Sequence, residues 1–221
     1  MDQTSERSLD GLSIGLHWPY QVVKRLLDLA VAGLLLLLLS PILLIIGAVI
    51  VADSGVPVFY RCQRLGRRGR TLTMLKFRTM QDGSHHHLSD LLANDEERRL
   101  EYARQRKLRD DPRRTKVGAV LRRTSLDELP QLWNIVRGDM SLVGPRPYFM
   151  DELNGRAERT QLLSVRPGLT GLWQISGRNN IIDFDEWMRL DLEYIDHWSL
   201  GLDLSILFRT VPVVVLGVGA K

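Results

Sequence analysis

Two adjacent carboxylates with arginines on either side are the residues of this chain best suited to chemistry on phosphate. Asp127 and Glu128 follow Arg122 closely, and Arg146 comes later in the segment 121–147. A carboxylate can hold a metal ion or attack phosphorus, and a guanidinium can bind two phosphate oxygens at once. Prolines on both sides of Arg146 restrict its backbone, so that aiming its side chain would cost little entropy. The segment therefore suits phosphoryl transfer.

The same acidic pair has a structural alternative. Ser125 and Glu128 match the S-x-x-E capping box of a helix, and Asp127 would suit the positive end of that helix. Pro130 counts against this interpretation, because its missing N–H would remove a helical hydrogen bond five residues after the cap. Taken alone, these residues favour capping over catalysis, since capping acids are common and active-site acids are few.

Basic residues are concentrated in a second segment, which runs from Arg61 to Arg78 and includes Lys76. It contains seven arginines and lysines and no acidic residue. Such a cluster implies partners that carry phosphate, namely nucleotides, nucleic acid or anionic lipid headgroups. The single cysteine of the chain, Cys62, excludes an internal disulfide and fits a small buried residue better than a nucleophile.

The segment 29–52 contains 24 residues and no charge. A straight helix of this length measures about 36 Å and could span a bilayer. Ser40-Pro41 lies at its centre, where proline removes a helical hydrogen bond and the serine hydroxyl could satisfy a freed carbonyl. Basic residues flank the segment on both sides, and positive charge favours the cytoplasm. Two alternatives stay open: a helix that enters the membrane, bends and returns, or a kinked single span.

Short strands and helices are expected in the remainder of the chain. The expected elements are strands 56–63 and 71–77 around a turn at 66–69, a strand or short helix at 116–121, and helices 91–108 and 183–198. The last helix carries a stripe that favours either core packing or the headgroup layer, formed by Trp187, Leu190, Tyr194 and Trp198. The apolar segment 204–218 contains Arg209 and Pro212, so docking on the membrane surface or on the core is expected rather than a span.

The order of these motifs resembles the bacterial monotopic phosphoglycosyl transferases, also called polyprenol-phosphate hexose-1-phosphate transferases or bacterial sugar transferases. The resemblance covers the chain from about Lys24 to the C-terminus. The matching segments, in order, are Lys24–Asp28, Ser40–Pro41, Pro57–Phe59, Lys76–Met80, Asp111–Gly118, Ser125–Leu132, Gly138–Pro147, Arg166–Gly171 and Gly177–Asn179. Each segment alone is a weak signal, but their shared order is specific.

The resemblance implies transfer of a hexose-1-phosphate from a UDP-sugar to undecaprenyl phosphate, with Mg²⁺ and release of UMP, as the first membrane step of polysaccharide or glycoconjugate assembly. On the family pattern, Asp127 is the nucleophile that forms an aspartyl-phosphosugar intermediate, and Glu128 is catalytic and holds the metal. The substrate-binding residues expected from the resemblance are Arg122, Arg146, Arg178, Lys76 and Arg78. The stretch 172–178 looks more like members that use glucose or galactose.

The resemblance also implies an α/β membrane-associated fold. Residues 1–19 are expected to form a flexible tail, residues 20–52 a re-entrant membrane helix broken at Ser40-Pro41, and residues 53–221 a small, mainly helical cytosolic catalytic domain with interfacial amphipathic helices. The protein would lie on the cytoplasmic face of the bacterial inner membrane, in contact with membrane lipids, and a homo-oligomer is left open. Larger relatives carry extra membrane helices and a further domain, so the chain is expected to be a minimal form or a catalytic fragment.

Two other classes of protein explain less of the sequence. A membrane-tethered nucleic-acid binder would account for the basic segment 61–78 but leaves Asp127-Glu128 without a purpose, and it would bind nucleic acid with a steep salt dependence. A non-catalytic membrane scaffold would leave the same acids without a purpose. We therefore expect an enzyme with no nucleic-acid partner.

Overall fold

The computed structural model describes residues 18–81, 84–105, 108, 110–177 and 183–215. A long N-terminal helix is followed by a mostly helical domain with two small sheets. The helices are α1 (Trp18–Ser54), α2 (Ser84–Asn94), α3 (Glu96–Gln105), α4 (Lys116–Arg123), α5 (Gln131–Arg137), α6 (Arg159–Leu162), α7 (Leu172–Ile175), α8 (Phe184–Asp196) and α9 (Leu200–Val215). The strands are β1 (Phe59–Leu65), β2 (Thr71–Phe77), β3 (Ser141–Val143) and β4 (Gly168–Thr170). Of the tail expected at residues 1–19, residues 1–17 lie outside the described residues, and Trp18 and Pro19 already belong to α1.

Helix α1 is 37 residues long and continues through Pro41 without interruption. It is long and apolar enough to cross a membrane by length and composition. Proline at position 41 leaves the carbonyl of Leu37 without its usual helical donor, and the Ser40 hydroxyl donates to that carbonyl at 2.8 Å. The predicted role of the serine hydroxyl is thus confirmed. The expected break at Ser40-Pro41 is absent, because α1 continues through both residues. The re-entrant path of the helix stays a prediction.

One side of α1 packs against the rest of the chain along most of its length. Asp28, Ala32, Ile46 and Ile50 recur at helical spacing and are all buried. Those positions span 22 residues, or about 33 Å of helix. The opposite side carries exposed apolar side chains, among them Leu26, Leu34, Leu37, Leu38, Leu44 and Ile45. The helix therefore lies along the domain and leaves its opposite, apolar side exposed.

Polar contacts fix the beginning of α1 to the domain. Lys24 Nζ lies 2.6 Å from Asp203 Oδ2 on α9. Arg25 donates from both terminal nitrogens to carbonyls in the last turn of α5, at 2.6 and 2.9 Å. The Asp28 carboxylate accepts from the Ser141 hydroxyl and the Leu142 backbone N–H at the start of β3. These bonds explain why charged residues occur within an otherwise apolar helix.

The two sheets are small and differ in type. Strands β1 and β2 form an antiparallel hairpin with Tyr60 opposite Lys76, and β3 pairs with β4 in parallel. The outer edge of β2 is covered by α5, because Asn134 accepts from the Leu75 N–H at 3.0 Å and donates to the Thr73 carbonyl at 2.8 Å. Asn134 is fully buried, so both halves of its amide replace the missing neighbour strand. This contact positions the chain just before α5.

Several expected elements shift or divide. The strand expected at 71–77 coincides with β2, whereas the helix expected at 91–108 is two helices, α2 and α3. The stripe on α8 is core, because Trp187, Leu190 and Tyr194 are all buried, and the headgroup alternative is wrong for these three side chains. Trp198 is partly exposed and packs edge-on against Tyr20 of α1.

Candidate active site

The acidic pair lies in a single 3₁₀ turn, Leu126–Glu128, between α4 and α5. Ser125 before it adopts a left-handed conformation, with φ of 59°, and its side chain makes no capping hydrogen bond. Helix α5 begins only at Gln131, after Pro130, where a missing N–H costs no helical bond. The capping-box interpretation is therefore wrong. A non-glycine residue in a left-handed conformation is strained, and such strain is common at functional sites.

Two other elements, β2 and α4, bring positive charges to this turn. Lys76 from β2 reaches Glu128, with 2.6 Å between Nζ and Oε1. Arg122 from the last turn of α4 lies close enough to Asp127 for their charges to interact, and its Nε donates to the Thr79 hydroxyl at 3.0 Å. Asp127 itself is only 8% exposed, while the Glu128 side chain is about a third exposed. The turn thus pairs a buried carboxylate, Asp127, with a more accessible one, Glu128. Both lie next to cationic side chains.

This surrounding sets the ionisation of the pair. Burial, and then the charge of Glu128, raise the pKa of Asp127 to about 6, although Lys76 and Arg122 act in the opposite direction. Burial disfavours the charged form of Lys76, but the two carboxylates outweigh it and raise the pKa of that amine. Lys76 therefore stays cationic and balances one of the two negative charges.

Contacts of the segment 111–118 position Arg122. Asp111 and Arg113 form a buried ion pair at 2.6 Å, which fixes the loop before α4. Gly118 in α4 packs directly on Thr79, and a Cβ at this position would collide with the Thr79 carbonyl. Helix α4 can approach Thr79 closely for this reason, and the contact brings Arg122 within reach of the Thr79 hydroxyl. The role of Thr79 was missed from the sequence, although it lies inside the matching segment Lys76–Met80.

Arg146 occupies a different neighbourhood from the one predicted. Its guanidinium pairs with Glu152 at 3.0 Å and lies over the Trp187 ring, 4.6 Å from the ring centre. Its backbone N–H donates to Asp191, which also accepts from the Tyr148 hydroxyl at 2.6 Å. Burial raises the pKa of Asp191 to about 7 despite both hydrogen bonds. None of these contacts ties Arg146 to Asp127, so its substrate role stays a prediction.

Arg78 has a structural task that the sequence did not indicate. The side chain is buried, and its guanidinium donates to the carbonyls of Ser54, Gly55 and Val56 at the end of α1. Free carbonyls at a helix C-terminus attract cations, so Arg78 caps α1. Its geometry gives no support to the predicted substrate contact. Arg178, predicted to lie near the nucleotide, is outside the described residues.

The carboxylates of Asp127 and Glu128 are the donor set available for the expected Mg²⁺. No group of three or more acidic, histidine or cysteine residues suited to a metal is found in the described part of the chain. Mg²⁺ in phosphoryl-transfer sites is often held by one or two carboxylates together with substrate phosphates. The partly exposed Glu128 therefore fits a metal that arrives with a phosphate substrate, and does not fit a preformed cage.

The chain is similar to known bacterial proteins. The family described as bacterial sugar transferase matches residues 19–217. Over about 90% of this chain, identity is 47% to an uncharacterized sugar transferase of Haemophilus influenzae and 46% to the exopolysaccharide production protein ExoY of Rhizobium meliloti. It is 44% to the undecaprenyl-phosphate galactose phosphotransferase of Salmonella typhimurium.

The matched share of these relatives differs. The chain spans 42% of the Haemophilus protein and 41% of the Salmonella protein, but 88% of ExoY. The similarity therefore concerns a part of the Haemophilus and Salmonella proteins, and most of ExoY. Because the family match extends over nearly the whole chain and includes the turn with Asp127 and Glu128, the protein belongs to the bacterial sugar transferase family.

Proposed function

We propose that this chain transfers a hexose-1-phosphate from a UDP-sugar to undecaprenyl phosphate through a covalent intermediate on Asp127, and releases UMP. The observation that carries the proposal is the meeting of Asp127, Glu128, Lys76 and Arg122 at one turn. The name of the Salmonella relative, an undecaprenyl-phosphate galactose phosphotransferase, supports a lipid-phosphate acceptor and a galactose donor. Exopolysaccharide production, the role named for ExoY, is the matching pathway class.

The reaction divides into two displacements at phosphorus. An oxygen of Asp127 attacks the β-phosphorus of the UDP-sugar, the bond to the bridging oxygen breaks, and UMP leaves with that electron pair. A phosphate oxygen of undecaprenyl phosphate then attacks the same phosphorus and releases the Asp127 carboxylate. Arg122 and Lys76 stabilise the negative charge that develops on the phosphoryl oxygens in both steps.

The position of Asp127 suits a covalent role. The strained Ser125 and the pairing of Glu128 with Lys76 hold the turn in place, so the carboxylate needs little reorganisation before attack. Glu128 would hold Mg²⁺ together with the substrate phosphates, and the ion would neutralise charge on the diphosphate and the leaving group. Burial of Asp127 limits access of water to the acyl phosphate.

We infer placement at the cytoplasmic face of the inner membrane, and the contacts of α1 support this inference. Its beginning is tied to α9 by Lys24 and Asp203, and its end is capped by Arg78 of the same domain. Both ends of the helix thus belong on the side of the membrane where the domain lies, which supports a re-entrant or in-plane helix over a span. The nucleotide sugar is a cytoplasmic solute, and the lipid acceptor would approach along the exposed apolar side of α1.

The decisive experiment omits the lipid acceptor. With Mg²⁺ and a UDP-sugar labelled in the sugar, the purified chain should release about one equivalent of UMP and become labelled, because the first step needs no lipid. Asp127→Asn should give neither, since an amide does not attack phosphorus. UDP-galactose and UDP-glucose should be compared as donors.

The matched control is Asp185→Asn, which removes an exposed acid in the first turn of α8. It should release UMP and become labelled to the same extent as the wild type. Release of UMP only after undecaprenyl phosphate is added would indicate direct displacement and would remove Asp127 as the nucleophile. A normal burst in the Asp127→Asn variant would refute the assignment of the site.

A further inference from the structure

A second basic cavity lies at the tip of the β1–β2 hairpin, away from the acidic turn. It has a volume of about 240 Å³. The residues that line it come from the hairpin turn, from the turn between α5 and β3, and from the loop before β4. Its charged lining residues are Arg67, Arg68, Arg70, Arg166 and Asp139. We call this cavity the arginine pocket.

The four arginines have no acidic partner among the described residues. Asp139 is the one acid in the lining, and it pairs with Arg137 outside the pocket at 3.4 Å. Arg67 and Arg166 use their Nε atoms to donate to backbone carbonyls, those of Ser164 and Gly138, at 2.9 and 2.8 Å. Those bonds fix the two side chains and leave terminal guanidinium nitrogens available to other acceptors. The pocket therefore has a concentrated positive charge.

The like charges act on one another. Burial first, and then the charges of Arg166 and Arg68, lower the pKa of Arg67. Arg68 also has a left-handed backbone, with φ of 58°, and the turn is pinned because its N–H donates to the Leu163 carbonyl at 2.7 Å. Repulsion and backbone strain both cost free energy, and a bound anion would offset the repulsion.

The residues around the arginine pocket indicate where it lies relative to the membrane. Arg67 and Arg166 also line a smaller adjoining cavity together with Lys24, Arg25 and Trp198. These residues surround the beginning of α1, from which exposed apolar side chains continue along the helix. Basic and aromatic residues next to an apolar helix surface mark the headgroup layer of a membrane.

The pocket is separate from the catalytic turn. Thr71, which lines the pocket, lies five positions before Lys76 on β2, or about 17 Å along the strand. A phosphate in the pocket would thus be too far away to react at Asp127. The pocket is not the position of the donor diphosphate or of the reacting lipid phosphate.

We propose that the arginine pocket is an accessory site for the phosphate group of an anionic molecule, with an anionic membrane lipid as its source. Guanidinium groups bind phosphate oxygens in pairs, and four of them without an acidic partner provide more donors than one phosphate requires. A phospholipid headgroup would enter from the layer next to α1. It would hold the hairpin against the membrane and keep the domain oriented for transfer. The inference does not depend on the reaction proposed for Asp127.

Native mass spectrometry of the full chain in neutral detergent tests this. The probes are phosphatidylglycerol, zwitterionic phosphatidylcholine and inorganic phosphate. The wild type should retain one phosphatidylglycerol, bind phosphatidylcholine at least tenfold more weakly, and release little lipid to millimolar phosphate. Arg68→Gln combined with Arg70→Gln should weaken phosphatidylglycerol at least tenfold, because these exposed arginines can change without loss of packing.

The matched control is Arg98→Gln combined with Arg99→Gln, which removes one partly exposed and one exposed charge from α3. It should bind lipid like the wild type. Displacement by inorganic phosphate at equal concentration would assign the same pocket to a soluble phosphate. Equal lipid binding by the pocket variant and the wild type would overturn the proposal. Transfer activity of the pocket variant in neutral detergent should stay within twofold of the wild type, and its collapse would show that the pocket belongs to the catalytic site.

Discussion

Lys76 and Glu128 carry opposite charges 2.6 Å apart beside the buried Asp127, and this contact decides how much negative charge the catalytic turn can hold. Two adjacent carboxylates repel each other, and burial strengthens the repulsion. Lysine from a different element relieves it without filling the place of the phosphate, because its amine lies on Glu128. The residue chemistry of the turn thus depends on the β1–β2 hairpin.

Lys76→Gln should slow the UMP burst at least tenfold, because it removes a charge that stabilises both the carboxylate pair and the phosphoryl oxygens. Arg61→Gln on the same hairpin is the matched control, since this exposed residue carries the same charge and should leave the burst unchanged. The measurement is the rate of UMP release without lipid. An unchanged rate in the Lys76 variant would mean that the ion pair has no part in the reaction.

Asp191→Asn should change the pH dependence of stability. The pKa of Asp191 is about 7 in the folded protein and near 3.8 in the unfolded chain, so the folded state binds the extra proton between these values. Wild-type stability should therefore fall as pH rises from about 4 to about 7, by up to about 4 kcal/mol from this group. Asparagine resembles the protonated carboxyl and removes this contribution.

The test compares the melting temperatures of wild type and Asp191→Asn in detergent at pH 5 and pH 8. The melting temperature of the variant, relative to that of the wild type, should be higher at pH 8 than at pH 5. Asp196→Asn, an exposed acid on the same helix, is the control and should show no such difference. Parallel curves for wild type and Asp191→Asn would show that Asp191 is ionised in the folded protein throughout this range.

Among the elements, α1 is held in place by side chains from other parts of the chain. Arg78 follows β2 immediately and caps the last carbonyls of α1, while Lys76, two positions earlier, reaches the catalytic turn. The hairpin thus links the membrane helix to the acidic pair.

Arg78→Lys should lower the melting temperature and leave the KM for the UDP-sugar unchanged. Lysine keeps the charge but cannot donate to three carbonyls from one planar group, and loss of these charge-assisted bonds costs about 1 to 3 kcal/mol. Arg61→Lys, exposed on β1, controls for the exchange itself. A raised KM with an unchanged melting temperature would restore the substrate contact predicted from the sequence.

For the whole molecule, the main constraint is that α1 packs on the catalytic domain along about 33 Å of its length. A helix that crossed the bilayer would have to give up the contacts at one of its ends. Those contacts include the ion pair of Lys24 with Asp203 and the buried Ile50. The packing of the domain therefore supports the proposal that the protein enters one leaflet.

Cysteines placed at positions 5 and 90, in a Cys62→Ser background, should both react from the cytoplasmic side of intact cells. The basic flanks and the contacts at both ends of α1 give this expectation. Reaction of position 5 from the periplasm would establish a span. Pro41→Leu restores the missing helical donor and should favour a straight helix, so part of the molecules should expose position 5 to the periplasm.

The sequence by itself determined features that depend on local patterns. The bounds of β2, the hydroxyl of Ser40 at the carbonyl freed by proline, and the family were predicted from it. Each rests on residues close together in the chain or on the order of short motifs. Local steric rules and side-chain alternation suffice for such features.

Only the tertiary structure decided what the charged residues contact. The spacing of Lys76 and Arg78 gives no sign that one pairs with Glu128 and the other caps α1, since each partner lies at least 22 residues away. The capping box at Ser125 was plausible by pattern, but the packing of Asn134 on β2 and of α4 on Thr79 fixes the turn differently. Long-range contacts of this kind depend on how whole elements pack, and packing energies outweigh the small local preference for a cap.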